Sequence, residues 1–123
     1  MKRFVLSASG LLGFLGVVLG AAGAHALRGS LSEKDLGIFE TAVRYQLLHA
    51  LALLTLVLLM EKIPGKLLEA AGILWVSGIV VFSGSLYLII FSGIRSFGAI
   101  APIGGLCLMA GWVCVFIAGL RRI

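Results

Sequence analysis

The side chains able to do chemistry in this sequence are few and close together: His25, Arg28, Glu40, Arg44, Tyr45, Gln46 and His49. On a helix, at 100° per residue, Ala42, Tyr45, Gln46, His49, Ala52 and Leu53 share an arc of about 120°. A phenol, an amide and an imidazole therefore look in one direction. His25 is expected at the same end, so His25, Tyr45, Gln46 and His49 form a candidate polar cluster. Glu40 and Arg44 fall on the opposite side, four apart with the acid first, the favourable order for a helical ion pair. The cluster has three possible uses. Its members can hydrogen-bond between helices, with each bond contributing about 0.6–2 kcal/mol. They can form a ligand or proton site, with His49 titrating near its reference pKa of about 6.5. The two histidines can also ligate a metal or haem, although they differ in depth and no third ligand type stands nearby.

Signatures of catalysis are missing. The sequence has no His-Glu-x-x-His zinc pattern, no phosphate-binding Gly-rich loop with Lys and no Gly-x-Ser-x-Gly elbow. General acid–base work needs two placed carboxylates, and only Glu69 comes near an apolar run. The expectation is a protein that is not an enzyme and holds no cofactor and no metal.

These residues sit in a chain of 123 residues, 61% hydrophobic and only 12% charged. Soluble domains carry about a quarter charged residues, and a chain this short buries too little of its surface to hide so much apolar area from water. Lipid is the solvent that fits. The net charge of +5 is spread over the ends of apolar runs, without the basic stripe that nucleic acid requires. It points to anionic headgroups.

Four apolar runs are long enough to cross a bilayer. The first is Phe4–Ala24, about 31 Å as a helix. It resembles a signal peptide, with Lys2 and Arg3 ahead and small residues at its end, but exceeds an h-region of about 7–15 residues. A polar stretch, Arg28–Glu40, follows. Ser32 with Asp35 suggests a helix start near Glu33, read as a short interfacial helix leading into the second span, Ala42–Met60. Pro64-Gly65 marks a turn. The third span is Leu67–Phe91, then a short loop over Ser92–Ala99, then Ala101–Leu120 with Pro102 in its first turn. The fold class is all-α: a polytopic membrane protein of four transmembrane helices with a short interfacial helix between the first two. Residues 1–123 form a single transmembrane four-helix bundle.

Small residues recur at spacings of three and four: Ser9, Gly13, Gly16, Gly20 and Gly23 on the first span, and Gly104, Cys107, Gly111, Cys114 and Ala118 on the fourth. Such stripes let helices approach closely in lipid. Gly13, Gly16, Gly20, Gly23, Gly104 and Gly111 are the candidate packing positions, and a homo-oligomer or a membrane-protein partner is expected. Cys107 and Cys114 lie about 10 Å apart on one helix, too far for a disulfide. Four spans put both termini on one side. The ten basic residues divide six (Lys2, Arg3, Lys62, Lys66, Arg121, Arg122) against four (Arg28, Lys34, Arg44, Arg95). This favours cytoplasmic termini in a cell or inner membrane.

Several blocks resemble a known family: Gly23-Ala24-His25-Ala26-Leu27, Leu31-Ser32, Ala42-x-x-Tyr45-Gln46-x-x-His49-Ala50-Leu51-Ala52-Leu53, Phe82-Ser83-Gly84-Ser85-Leu86-Tyr87, Pro102-Ile103-Gly104-Gly105 and Gly111-Trp112. Across nearly its whole length the chain resembles the small membrane proteins of the "domain of unknown function 423" family, whose eukaryotic relatives include transmembrane protein 256. The resemblance implies four spans, mostly in bacterial inner membranes, and brings no activity, substrate or cofactor. The reading that follows is a non-enzymatic bundle acting as scaffold, accessory subunit or homo-oligomer. The alternative is a small transporter, channel or lipid-binding protein using the His/Tyr/Gln cluster at the non-cytoplasmic end.

Overall fold

In the computed structural model, which describes residues 1–122, four long helices account for nearly the whole chain. The first, α1, covers Lys2–Ala22 and runs into a π-helical turn, Gly23–Leu27. The second, α2, covers Glu33–Lys62. Its start is fixed by Ser32, whose hydroxyl accepts the amide of Asp35 at 3.1 Å, as Ser does at an N-cap. Its end is the Pro64-Gly65 turn. The third, α3, covers Lys66–Ser92 and stops on Gly93 in the left-handed region, φ 76°, where a side chain would be strained. A 3₁₀ turn, Arg95–Ala99, leads into α4, Ala101–Arg122. All four helices are long and apolar enough to cross a membrane, and the protein is a multi-pass membrane protein.

One expected element is absent as a separate unit. The interfacial helix before the second span is instead the first turns of α2. Nothing over Glu33–Thr41 interrupts the ladder; Gly37 lowers helix propensity by about 1 kcal/mol but does not break it. Phe39, fully buried, holds this end down against Gly23, Tyr87 and Phe91. At 30 residues, α2 is about 45 Å long, well beyond a hydrocarbon core of about 30 Å. Its first turns therefore project past that core or the helix tilts.

The helices stand in a row. The chain packs α1 on α2, α2 on α3 and α3 on α4, with a brief α1–α3 contact; among the described residues the backbones of α1 and α4 do not meet, nor do those of α2 and α4. The inner helices α2 and α3 carry most of the core, with Leu53, Leu56, Met60, Leu68, Ala71, Trp75 and Ile79, joined by Val5 from α1 and by Leu108 and Ala118 from α4. Glycines set the approach between neighbours. A Cβ on Gly16 would lie 2.6 Å from Leu47, one on Gly23 2.7 Å from Phe39, and one on Gly20 3.3 Å from Val43. A Cβ on Gly104 would strike the backbone of Phe82, and one on Gly111 the indole of Trp75. Gly13 is looser, with ordinary contact to Ala50 at 3.9 Å. The glycine stripes are thus spent largely inside the chain. Cys107 and Cys114 are free thiols on α4.

Among the described residues two ion pairs lie at opposite ends of the bundle. Lys2 meets Glu61 at 3.1 Å, which brings the N-terminus to the α2–α3 turn. Arg95 meets Asp35 through two parallel hydrogen bonds of 2.9 and 3.0 Å, tying the 3₁₀ turn to the start of α2.

Candidate functional site

Gln46 and His49 are both nearly inaccessible, 3% and 2% exposed, on the face of α2 turned toward its neighbours. A polar group buried in lipid must be paired or costs several kcal/mol, and each of them is paired on both sides. The Gln46 amide donates to the carbonyl of Leu12 on α1 at 2.8 Å and accepts from the Tyr87 hydroxyl on α3 at 2.6 Å. One side chain therefore bolts three helices together. Ser9 donates to the Ala50 carbonyl at 2.9 Å and Ser83 to the Ala42 carbonyl at 2.8 Å. The recurring device is a side-chain donor on one helix meeting a backbone carbonyl on the next, since a helical carbonyl keeps a second lone pair.

His49 is fixed more tightly. Its Nδ1 lies 2.9 Å from the carbonyl of Tyr45, one turn back, and its Nε2 lies 3.0 Å from the indole Nε1 of Trp112 on α4. A carbonyl only accepts and an indole N–H only donates. The hydrogen-bond network therefore assigns His49 as the neutral imidazole with the proton on Nδ1 and Nε2 as acceptor. An imidazolium in this place would set Nε2–H against the Trp112 N–H, donor against donor. The ring also meets Trp75 at 5.8 Å and Trp112 at 5.9 Å, both edge-on, and the two indoles lie 4.6 Å apart. Trp75 donates to the Leu108 carbonyl at 3.2 Å. The bond from His49 to Trp112 spans α2 and α4, whose backbones do not touch.

Tyr45 stands outside this core. It is 40% exposed, stacks on His49 at 6.2 Å and meets Phe82 edge-on at 5.2 Å. With Phe82, Gly105, Met109 and Trp112 it edges a cavity of about 250 Å³ that reaches His49. Among the described residues, no buried side-chain nitrogen or oxygen lacks a hydrogen-bond partner.

Two expectations are corrected. His25 lies exposed in the π turn and takes no part in the hydrogen bonds around His49. At an exposed helix end its ring stays solvated without a protein partner. Glu40 and Arg44 do not pair: the ion pairs among the described residues are Lys2–Glu61 and Arg95–Asp35. Both side chains are exposed, where pairing contributes little and costs side-chain entropy. Among the described residues no three His, Cys, Asp or Glu side chains come together. Trp75, Ser83 and Tyr87 were missed. They lie with Ile79 at successive fourth positions of α3, so the spacing rule that gathered Tyr45, Gln46 and His49 would have found them too. The Asp35 carboxyl, ahead of the apolar run, is held below its usual range by its hydrogen bonds to the Arg95 guanidinium.

Residues 19–105 match the model of a family described as "Protein of unknown function (DUF423)". The UPF0382 membrane protein YwdK of Bacillus subtilis is 38% identical over 122 residues, 98% of each chain. The UPF0382 membrane protein SH2409 of Staphylococcus haemolyticus is 41% identical over 118 residues, 96% of this chain and 95% of that one. The UPF0382 inner membrane protein YgdD of Escherichia coli K12 is 34% identical over 120 residues, 98% and 92% of the two chains. No solved structure matches the chain. The chain belongs to the DUF423 family.

Proposed function

We propose that this DUF423 protein is a non-enzymatic helical module of a cell or inner membrane that assembles with copies of itself, serving as a scaffold or accessory subunit. The carrying observation is that, among the described residues, its buried polar side chains are consumed by its own fold: both nitrogens of His49 and both ends of the Gln46 amide are engaged within the chain. A transport or catalytic site needs at least one such group free to meet a substrate.

The outer face of α4 supports self-assembly. Leu106, Met109, Val113, Phe116 and Leu120 are 63%, 59%, 53%, 66% and 67% exposed. They recur at spacings of three and four, the pattern of a helix seam. Gly104, Gly105 and Gly111 of α4 face α3, so this seam of large side chains is what α4 offers outward. The termini, the α2–α3 turn and the six basic residues placed with them would face the cytoplasm.

Native mass spectrometry from gentle detergent tests the assembly, together with disulfide cross-linking of Val113→Cys in a Cys107→Ser/Cys114→Ser background. The expected result is a whole multiple of the 12.9 kDa chain and a cross-link at Val113 absent for Val18→Cys on α1. A monomer with no cross-link at either position overturns the assembly. A flux or turnover activity lost in a folded His49→Ala protein overturns the non-enzymatic reading.

A further inference from the structure

Arg28, Glu40 and Arg44 face one cavity of about 210 Å³ between the π turn of α1 and the first turns of α2, with Gly20, Gly23, Ala24, Phe39 and Val43 as its remaining lining. Two cations and one anion line it, and among the described residues none of the three is in an ion pair. An arginine with no carboxylate partner at a membrane interface is a donor fork of the right geometry for phosphate. Below this cavity, along the same α1–α2 junction, lies an apolar trough of about 540 Å³ lined by Leu6, Gly10, Gly13, Phe14, Leu47 and Leu51, among others. On α2, residues 40, 43 and 44 of the upper cavity and 47, 51 and 54 of the trough lie on one side of the helix at 100° per residue. The two spaces therefore stack along one groove. A Cβ on Gly10 would meet nothing within 4 Å, and one on Gly13 only the Ala50 methyl at 3.9 Å, so the trough is open where those side chains are missing.

We propose that this groove is a binding site for one anionic phospholipid, its phosphodiester held between Arg28 and Arg44 and one acyl chain laid in the trough over Gly10 and Gly13. Charge complementarity selects the lipid: the lining carries a net +1, which an anionic headgroup neutralises and a zwitterionic headgroup, net zero, does not. Glu40 accepts a hydroxyl, which a glycerol headgroup donates. Phosphatidylglycerol is therefore the class that both neutralises the lining and offers Glu40 a hydroxyl donor. The apolar trough below distinguishes a lipid from a soluble phosphate. The site shares no residue with the His49 surroundings or the α4 seam, so it stands or falls separately from the proposed function.

The test is native mass spectrometry of the full chain reconstituted with equimolar phosphatidylglycerol and phosphatidylcholine. The expected result is retention of one phosphatidylglycerol in preference to phosphatidylcholine. That preference should fall about tenfold in Arg28→Gln/Arg44→Gln, the scale of losing charge-assisted bonds. It should be unchanged in Lys62→Gln/Lys66→Gln at the other end of the row, and retention should weaken in Gly10→Leu, which fills the trough. Circular dichroism confirms that each variant is folded. Equal retention of both lipids, or a preference lost in the Lys62/Lys66 variant and kept in the Arg28/Arg44 variant, overturns the proposal. Displacement of the lipid by millimolar glycerol phosphate or inorganic phosphate would assign the arginines to a soluble anion and also overturn it.

Discussion

Replacing Gln46 by leucine removes the one side chain that bonds to both α1 and α3. The volume is nearly kept, so the loss is polar. The bond to the Leu12 carbonyl contributes about 0.6 kcal/mol, the average for interhelical bonds in membranes. That carbonyl keeps its own helical partner and is not orphaned. The Tyr87 hydroxyl fares worse. It donates to Gln46 at 2.6 Å, and a half-buried hydroxyl left unmatched costs about 1–3 kcal/mol. Gln46→Leu should therefore destabilise by about 1.5–3.5 kcal/mol. Tyr87→Phe alone should also cost about 1–3 kcal/mol, because it leaves the Gln46 carbonyl oxygen, buried between the helices, without its donor. The double variant removes both ends, so its cost should fall short of the two single costs together by about 1–2 kcal/mol. Reversible unfolding in mixed micelles of rising sodium dodecyl sulfate content measures all four corners of the cycle. Additivity within about 0.5 kcal/mol would refute the reasoning, because Gln46 and Tyr87 would then not be partners in the membrane.

Gly111→Val and Gly104→Val should each separate α3 from α4, because the added atoms meet the Trp75 indole and the Phe82 backbone; the destabilisation should be at least about 1–3 kcal/mol, greater at Gly104 where backbone must move, and is read in the same unfolding assay. Trp112→Phe keeps the aromatic packing but removes the N–H donor, so it should destabilise by about 1 kcal/mol, and a cost indistinguishable from zero would show that the bond to His49 is not formed. Asp35→Asn should lower stability slightly at neutral pH. Since Arg95 lowers the Asp35 pKa on folding, this contribution is present above the unfolded carboxylate pKa of about 3.9 and is lost as pH falls through the lower folded value. The gap between wild type and Asp35→Asn should therefore be constant from pH 7 to about 5 and close under stronger acid. Cysteines at Ser30 and Lys62, in a Cys107→Ser/Cys114→Ser background, should label from opposite sides of the membrane, Ser30 from outside; labelling of both from one side would contradict the topology.

The spans were legible because apolar run length and turn residues act locally. Ser32 and Asp35 located the start of α2, Pro64-Gly65 its end and Pro102 the start of α4. The continuity of α2 through Thr41 was not legible, because polarity of the stretch suggested a separate interfacial element while Phe39, packed on Gly23 and Tyr87, is what holds it in one helix. Helical periodicity placed Tyr45, Gln46 and His49 on neighbouring bearings, yet it could not supply their partners. Leu12, Tyr87 and Trp112 lie 34, 41 and 63 residues away in sequence, and only the packing of the row brings them near. Periodicity likewise misassigned the partners of His25 and of the Glu40–Arg44 pair, since sequence spacing says where a side chain starts and not what solvates it. The glycine stripes were recognised as contact faces, but whether they would meet another helix of the same chain or another subunit depended on the order of the helices.

The most direct measurement is the tautomer of His49, read from long-range ¹⁵N–¹H correlation spectra of the protein labelled at its two histidines, with His25 assigned by His25→Gln. A protonated Nδ1 and an Nε2 shift typical of an acceptor, moved on Trp112→Phe, would establish that this imidazole is held by Tyr45 and Trp112 as part of the fold. An Nε2-protonated ring, or a shift indifferent to Trp112, would mean that Nε2 is free to serve something other than the chain itself.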